Sequence, residues 1–258
     1  MKKKDAIASD SKELTDGSKS LVRRTDVPPA LPYKKYKEYL RRDFFASCAY
    51  CTMSEAEASA VRMTIDHYEP RSSYPALENE YNNLMYSCDT CNQLKGDRCP
   101  PPAAREDGIR FFRPDEDVRQ DHFEGNGLRL KEKTNVGGYS IEALDLNRAA
   151  LRRLRELRKR LYDTDKMITE GIMGLRSLPI DQFPLDMRGQ ILRMRKDIEI
   201  YDEQISRKID DILFDNAKSL NIEPTDDFDP SKLERKQHLK DIEALYPGQW
   251  RGLRGKHP

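Results

Sequence analysis

Four cysteines stand in two matched pairs, Cys48-Ala-Tyr-Cys51 and Cys88-Asp-Thr-Cys91. Two such C-x-x-C knuckles can surround one zinc ion tetrahedrally with four thiolates. The alternative is a set of buried thiols or a redox pair. A zinc ion closed in by four cysteines has no open position for substrate, so its role would be structural. The knuckles are separated by 36 residues, against roughly 15–20 in a plain zinc ribbon. A folded insert must fill that gap, and any chemistry is expected inside it. The fifth cysteine, Cys99, belongs to no such pair.

The insert contains Met63-Thr64-Ile65-Asp66-His67-Tyr68-Glu69-Pro70-Arg71-Ser72, and later Asn82-Asn83-Leu84-Met85-Tyr86-Ser87. An apolar segment that ends in Asp-His before a proline turn predicts one strand of a hairpin. Leu84-Met85-Tyr86 predicts the return strand, and Cys91–Lys95 the opening of a helix.

Taken in order, the Asp66-His67 pair, Asn83-Leu84 and the Cys88-x-x-Cys91-Asn92-x-x-Lys95 run resemble the HNH, or ββα-metal, endonuclease family in its zinc-knuckle form. The resemblance covers residues 44–98. It implies that His67 is the general base for an attacking water, a task suited to a neutral imidazole. It implies that Asp66 and Asn92 offer oxygen ligands to one divalent cation at the scissile phosphate. Asn83 would hold the loop that orients His67, and Arg71 and Lys95 would meet phosphate oxygens. Asn92 stands where many members carry histidine. Its amide oxygen is a hard ligand, which favours magnesium or manganese over nickel or zinc in that position. Glu69 is a weaker candidate for assisting the cation.

These residues need a scaffold. Residues 1–27 are expected to be a disordered tail, because residues 1–25 are mostly Lys, Asp, Ser, Glu and Thr. Residues 28–118 would form the nuclease domain. Its lead-in contains Pro28, Pro29 and Pro32, followed by a helix over Tyr33–Phe45, and residues 100–118 read as a loop. Residues 119–146 read as a short β connector. Its strands are expected at Gln120–Phe123 and Leu128–Leu130, with turns at Gly125-Asn126-Gly127 and Gly137-Gly138. Residues 147–258 read as a helical domain. Asn147 would be an N-cap before Leu151, Leu154, Leu157 and Leu161. A short helix is expected over Asp165–Leu175, and a long one over Leu185–Leu220 with Pro184 in its first turn. The long helix has apolar residues three and four apart from Ile191 to Ile212, and Asn221 and Pro224 would stop it. The last helix would begin at Asp229-Pro230 and end before Pro247-Gly248. The fold class is α+β.

Composition narrows the function classes. Hydrophobic residues are 37% and charged residues 35% of the 258, with a net charge of +1. Net charge alone therefore does not announce a nucleic-acid partner. Locally, Arg148, Arg152, Arg153, Arg155, Arg158, Lys159 and Arg160 crowd one helix. They would either grip phosphates or form a solvated face. No run of about 18 apolar residues exists to span a membrane. Met1-Lys2-Lys3-Lys4 is not followed by an apolar stretch, so a cytoplasmic location is expected. More weakly, the basic helix before the first knuckle and the Ile141–Arg148 segment with its arginine-rich helix are similar to anti-phage HNH proteins of the Septu and retron-associated types. That similarity implies DNA cleavage beside an ATPase of the ABC/SMC type. The competing readings are a non-catalytic zinc module that binds nucleic acid or protein, and an RNA or tRNA nuclease.

Overall fold

From Val22 to Pro32 the backbone is non-helical. Tyr33–Tyr36 then forms a 3-10 turn that runs into helix α1, Lys37–Asp43. The computed structural model describes residues 22–58, 61–197, 200 and 231–252. The helix predicted over Tyr33–Phe45 is thus present in two parts. It stops because Phe45 and Ala46 adopt positive φ, 51° and 50°, a conformation that no α-helix continues through. Tyr36, Leu40 and Phe44 are buried.

Strand β1 (Met63–His67) pairs antiparallel with β2 (Leu84–Cys88), Met63 opposite Cys88 and His67 opposite Leu84. β2 is buried along its whole length, consistent with its apolar run of Leu84, Met85 and Tyr86. Helix α2 (Asp89–Lys95) follows at once, with Cys88 as its N-cap and Gly96 at φ 56° as its C-cap. Glycine takes that left-handed conformation without a steric penalty. The hairpin and helix expected from the insert are therefore present, and the chain is α+β.

Beyond this unit the structure departs from several expectations. The proline-rich stretch read as a loop contains helix α3 (Pro102–Glu106), with a proline in its first turn. Arg119–His122 is a helical turn, α4, instead of a strand. The hairpin is shifted downstream: β3 (Phe123–Asn126) pairs with β4 (Arg129–Glu132) across Gly127-Leu128. Gly127 has φ 60°, the positive value that a type II′ loop needs at its first position.

Gly137 and Gly138 do not form a turn. They lie in helix α5 (Asn135–Ala143), capped by Thr134, whose hydroxyl accepts from the Gly137 N–H at 3.3 Å. A Cβ on Gly137 would come 2.0 Å from the His122 carbonyl oxygen, so glycine is there for close packing. Ser140, on the same helix, accepts from the Phe112 N–H at 2.7 Å in the core.

Helix α6 spans Ala149–Ser177 without a break. The separate helix read over Asp165–Leu175 is part of it, since Gly171 and Gly174 only weaken helical propensity. The residue before α6 is Arg148, whose carbonyl accepts from Leu151 and Arg152. Asn147 is therefore not its N-cap; its amide instead bridges the Leu130 N–H and C=O at 2.7 and 2.8 Å. Residues 185–197 are helical, as expected after Pro184. The rest of that predicted helix, its stop at Asn221 and Pro224, and the start at Asp229-Pro230 lie outside the described residues, as does most of the predicted tail.

The described residues fall into two compact units, one from Met1–Glu55, Val61–Asn147 and Phe228–Pro258, the other from Ala56–Ala60 and Arg148–Asp227. Residues 119–146 pack with the zinc-knuckle region, and the last helix, α7 (Ser231–Leu245), returns to it. There Arg235 pairs with Asp145, and His238 with Glu142 at 2.6 Å. The Trp250 carbonyl accepts from the Cys99 N–H at 2.8 Å. In the second unit Arg158 binds Glu57 through two bonds of 2.6 and 2.5 Å. Among the described residues no helix is long and apolar enough to cross a membrane.

The two adjacent glycines separate packing from propensity. Gly137→Ala is expected to lower stability by about 1–3 kcal/mol through overpacking. Gly138→Ala meets its nearest neighbours at an ordinary 3.7 Å and is expected to be neutral or stabilising by up to ~1 kcal/mol. Urea denaturation of both variants checks the contrast.

Candidate functional site

The four knuckle cysteines are buried and free of disulfides, and their sulfurs lie within 4.8 Å of one another. The first knuckle is a tight turn in which the Cys48 N–H donates to Met53 and the Thr52 N–H to Cys48, both at 2.9 Å. The second places Cys88 at the end of β2 and Cys91 in α2. Cys51 and Cys88 Sγ are 3.8 Å apart. A tetrahedron with ~2.3 Å metal–sulfur bonds has edges of about 3.8 Å, so the donor set fits a zinc ion.

Between the knuckles, β1 presents Asp66 and His67 to opposite sides, as successive strand residues must. Asp66 is only 4% exposed. Its carboxylate accepts from Tyr50 Oη at 2.5 Å and pairs with Lys95 Nζ at 3.1 Å. Lys95 also donates to the His67 carbonyl at 2.7 Å and lies 5.7 Å from the Phe111 ring centre. Burial pushes the Asp66 carboxyl above its usual range, against the opposing pull of the Lys95 charge. Burial and the adjacent Asp66 charge push the Tyr50 phenol well above its own, so it remains a donor.

The half-buried His67 imidazole places Nε2 2.9 Å from the Glu78 carbonyl oxygen. A carbonyl only accepts, so Nε2 carries the proton and the neutral ring leaves Nδ1 as a free base. Desolvation lowers the His67 pKa, which favours that neutral form. Tyr33 packs edge-on against the ring, with centroids 4.9 Å apart.

Asn83 holds the strap between His67 and Glu78. Its Oδ1 accepts from the Glu69 N–H at 2.8 Å, and its Nδ2 donates to the carbonyls of Glu69 and Leu77 at 3.0 and 3.2 Å. The Glu69 carboxylate is engaged by Arg105 through bonds of 2.5 and 2.7 Å.

Asn92 sits in α2 and donates from Nδ2 to Thr64 Oγ1 at 3.0 Å and to the Ile65 carbonyl at 3.4 Å. Among the described residues its Oδ1 takes no hydrogen bond, leaving an amide oxygen available to a hard cation. The donor types of Asp66 and Asn92 fit such a cation, with Lys95 as competitor for the carboxylate.

The two expected phosphate contacts differ. Arg71 is exposed beside Glu78 at 3.3 Å. Lys95 is buried, with its side chain 0% exposed. Its ammonium is engaged by the buried Asp66 carboxylate as a counter-ion. Tyr50, Glu78 and Arg105 went unnoticed in the sequence. Tyr50 lies within the knuckle pattern itself, but nothing in the pattern says where its hydroxyl points. An apolar cavity of about 270 Å³ is lined by Val22, Phe44, Phe45, Cys48 and Phe112, among others. It contains none of Asp66, His67 or Asn92.

The knuckle-framed hairpin and helix carry Asp-His on the first strand and Asn on the helix. Residues 48–98 match the family model described as HNH endonuclease. Over 100 residues the chain is 30% identical to the Septu protein PtuB of Bacillus thuringiensis, covering 39% of this chain and 36% of that one. Over 145 residues it is 25% identical to the Septu protein PtuA of Bacillus mycoides (strain KBAB4), covering 46% of this chain and 20% of that one. The chain thus spans well under half the length of either relative. No solved structure matches it.

Lys95→Met leaves a buried carboxylate without its counter-ion and is expected to cost about 3–5 kcal/mol of stability. Arg71→Met, at an exposed pair, should change it by less than about 1 kcal/mol. Chemical denaturation of the two variants measures the difference.

Proposed function

We propose that this chain is a metal-dependent HNH endonuclease that hydrolyses DNA phosphodiester bonds in anti-phage defence. The observation that carries the reading is the His67 ring, held through Nε2 to the Glu78 carbonyl so that Nδ1 is left as the base, on the knuckle-framed strand β1 next in sequence to Asp66. His67 Nδ1 takes a proton from an attacking water. Nε2 keeps its own proton against the Glu78 carbonyl, which stabilises the imidazolium as it forms. Asn83 fixes the strap that supplies that carbonyl. Asp66 and Asn92 Oδ1 would hold one magnesium or manganese ion. Such an ion, when bound, supplies charge stabilisation to the scissile phosphate and the leaving oxygen. Arg71 is free to turn from Glu78 to a phosphate oxygen. The products are 5′-phosphate and 3′-hydroxyl ends, as the family resemblance implies. Cys48, Cys51, Cys88 and Cys91 hold a structural zinc.

The resemblance to Septu proteins supports a partner ATPase of the ABC/SMC type, with the helical second unit as the docking element. That unit exposes Met167, Met173, Leu185 and Met194, apolar side chains that a partner could cover. The partner would restrain cleavage until infection.

Supercoiled plasmid incubated with magnesium, manganese or chelator tests the activity, alone and with the copurified partner. His67→Ala is expected to lose roughly 10²–10⁴-fold in rate. Metal-dependent nicking that survives in that variant would remove His67 from the mechanism. Binding of DNA without cleavage, even with the partner, would leave a non-catalytic zinc module. Elemental analysis is expected to find one zinc per chain, lost with the fold in Cys91→Ser.

A further inference from the structure

The buried Asp66 carboxylate is reached from both knuckles. Tyr50 lies between Cys48 and Cys51, is 1% exposed, and donates its hydroxyl to Asp66 Oδ2 at 2.5 Å. Lys95 ends the helix that begins at Cys88 and carries Cys91, and its ammonium lies 3.2 Å from Oδ1 and 3.1 Å from Oδ2. Asn92 belongs to the same helix, and its amide N–H groups are tied to Thr64 and Ile65, on the strand that carries Asp66. The Tyr50 backbone has little freedom. The neighbouring Ala49 N–H donates to the Tyr86 carbonyl at 2.7 Å, which pins the first knuckle to β2. The Tyr50 carbonyl accepts from Arg119 at 3.4 Å.

We infer that Tyr50 is a positioning residue that transmits the geometry of the four-cysteine frame to the Asp66 carboxylate. This rests on the reading of Asp66 as a cation ligand. A carboxylate held by a single ammonium alone can still rock about that contact. The phenol holds one oxygen from a different direction and so fixes the carboxylate plane. Lys95 spans both oxygens, so an incoming hard cation competes with it in either case; without the hydroxyl the carboxylate loses its second anchor and must be ordered at the cation's expense. Partners that orient a metal ligand without touching the metal are worth about 10–100-fold in affinity or activity. The cysteines would thus fold the insert and, through Tyr50, also set how well the second metal is held.

Tyr50→Phe keeps the ring and removes only the donor. The test compares wild type, Tyr50→Phe and Asp66→Asn, each zinc-replete, for Mn2+ binding by electron paramagnetic resonance and for zinc content. Tyr50→Phe is expected to retain its zinc and a cooperative unfolding transition while Mn2+ affinity falls roughly 10-fold or more. The manganese concentration needed for cleavage should rise in parallel. Unchanged Mn2+ affinity in Tyr50→Phe, with affinity lost in Asp66→Asn, would overturn the inference and leave Asp66 as a ligand. Equal affinity in wild type and Asp66→Asn would remove the reading on which it rests. Should Tyr50→Phe lose zinc, wild-type protein labelled at tyrosine 13Cζ decides instead. The Tyr50 resonance should shift as magnesium is added, and its failure to shift while Mg2+ binds would overturn the inference.

Discussion

A cluster of four sulfurs within 4.8 Å of one another is the constraint on which the rest of the first unit depends. It closes a loop of 36 residues. The hairpin inside that loop is only two strands of five residues, and an isolated two-stranded hairpin is marginal in water. Joining its two ends removes much of the chain entropy that would otherwise oppose the fold. β1, β2 and α2 then have a small shared core of Met63, Leu84, Met85 and Tyr86.

Within that frame the unusual feature is a buried charge. Carboxylates are seldom placed in a core, because desolvation costs several kcal/mol unless the charge is paired. Asp66 is matched by Lys95 and Tyr50, so its position is over-determined. A surface aspartate would be cheaper to fold but would occupy many rotamers. Burial exchanges stability for one fixed orientation of the carboxylate.

The other half of the site is built by a polar strap. Asn83 saturates its amide on the Glu69 and Leu77 backbone, and Arg105 takes the Glu69 carboxylate. The strap delivers the Glu78 carbonyl to His67. One ring nitrogen is thereby assigned its proton and the other left bare. Rigid support on one side and an open nitrogen on the other is a geometry suited to proton abstraction.

The sequence by itself determined the order of elements between the knuckles. Its matched cysteine pairs, its apolar strands and the Asn92-x-x-Lys95 run were all local patterns, and β1, β2 and α2 appear where those patterns placed them. Local patterns misled where glycine was ambiguous. Gly137 marks a helix pressed against the His122 carbonyl, and the same letter would mark a turn. They also misled at Asn147, an apparent cap that serves a hairpin 17 residues away. Which lysine lies inside and which arginine lies outside was decided only by tertiary structure. Lys95 and Arg71 look alike as letters, yet one is buried against Asp66 and the other is exposed. The same holds for Tyr50, whose hydroxyl meets Asp66 across 16 residues of chain. Side-chain burial and long-range hydrogen bonds depend on which segments the fold brings together, and a pattern of neighbouring residues carries no record of that.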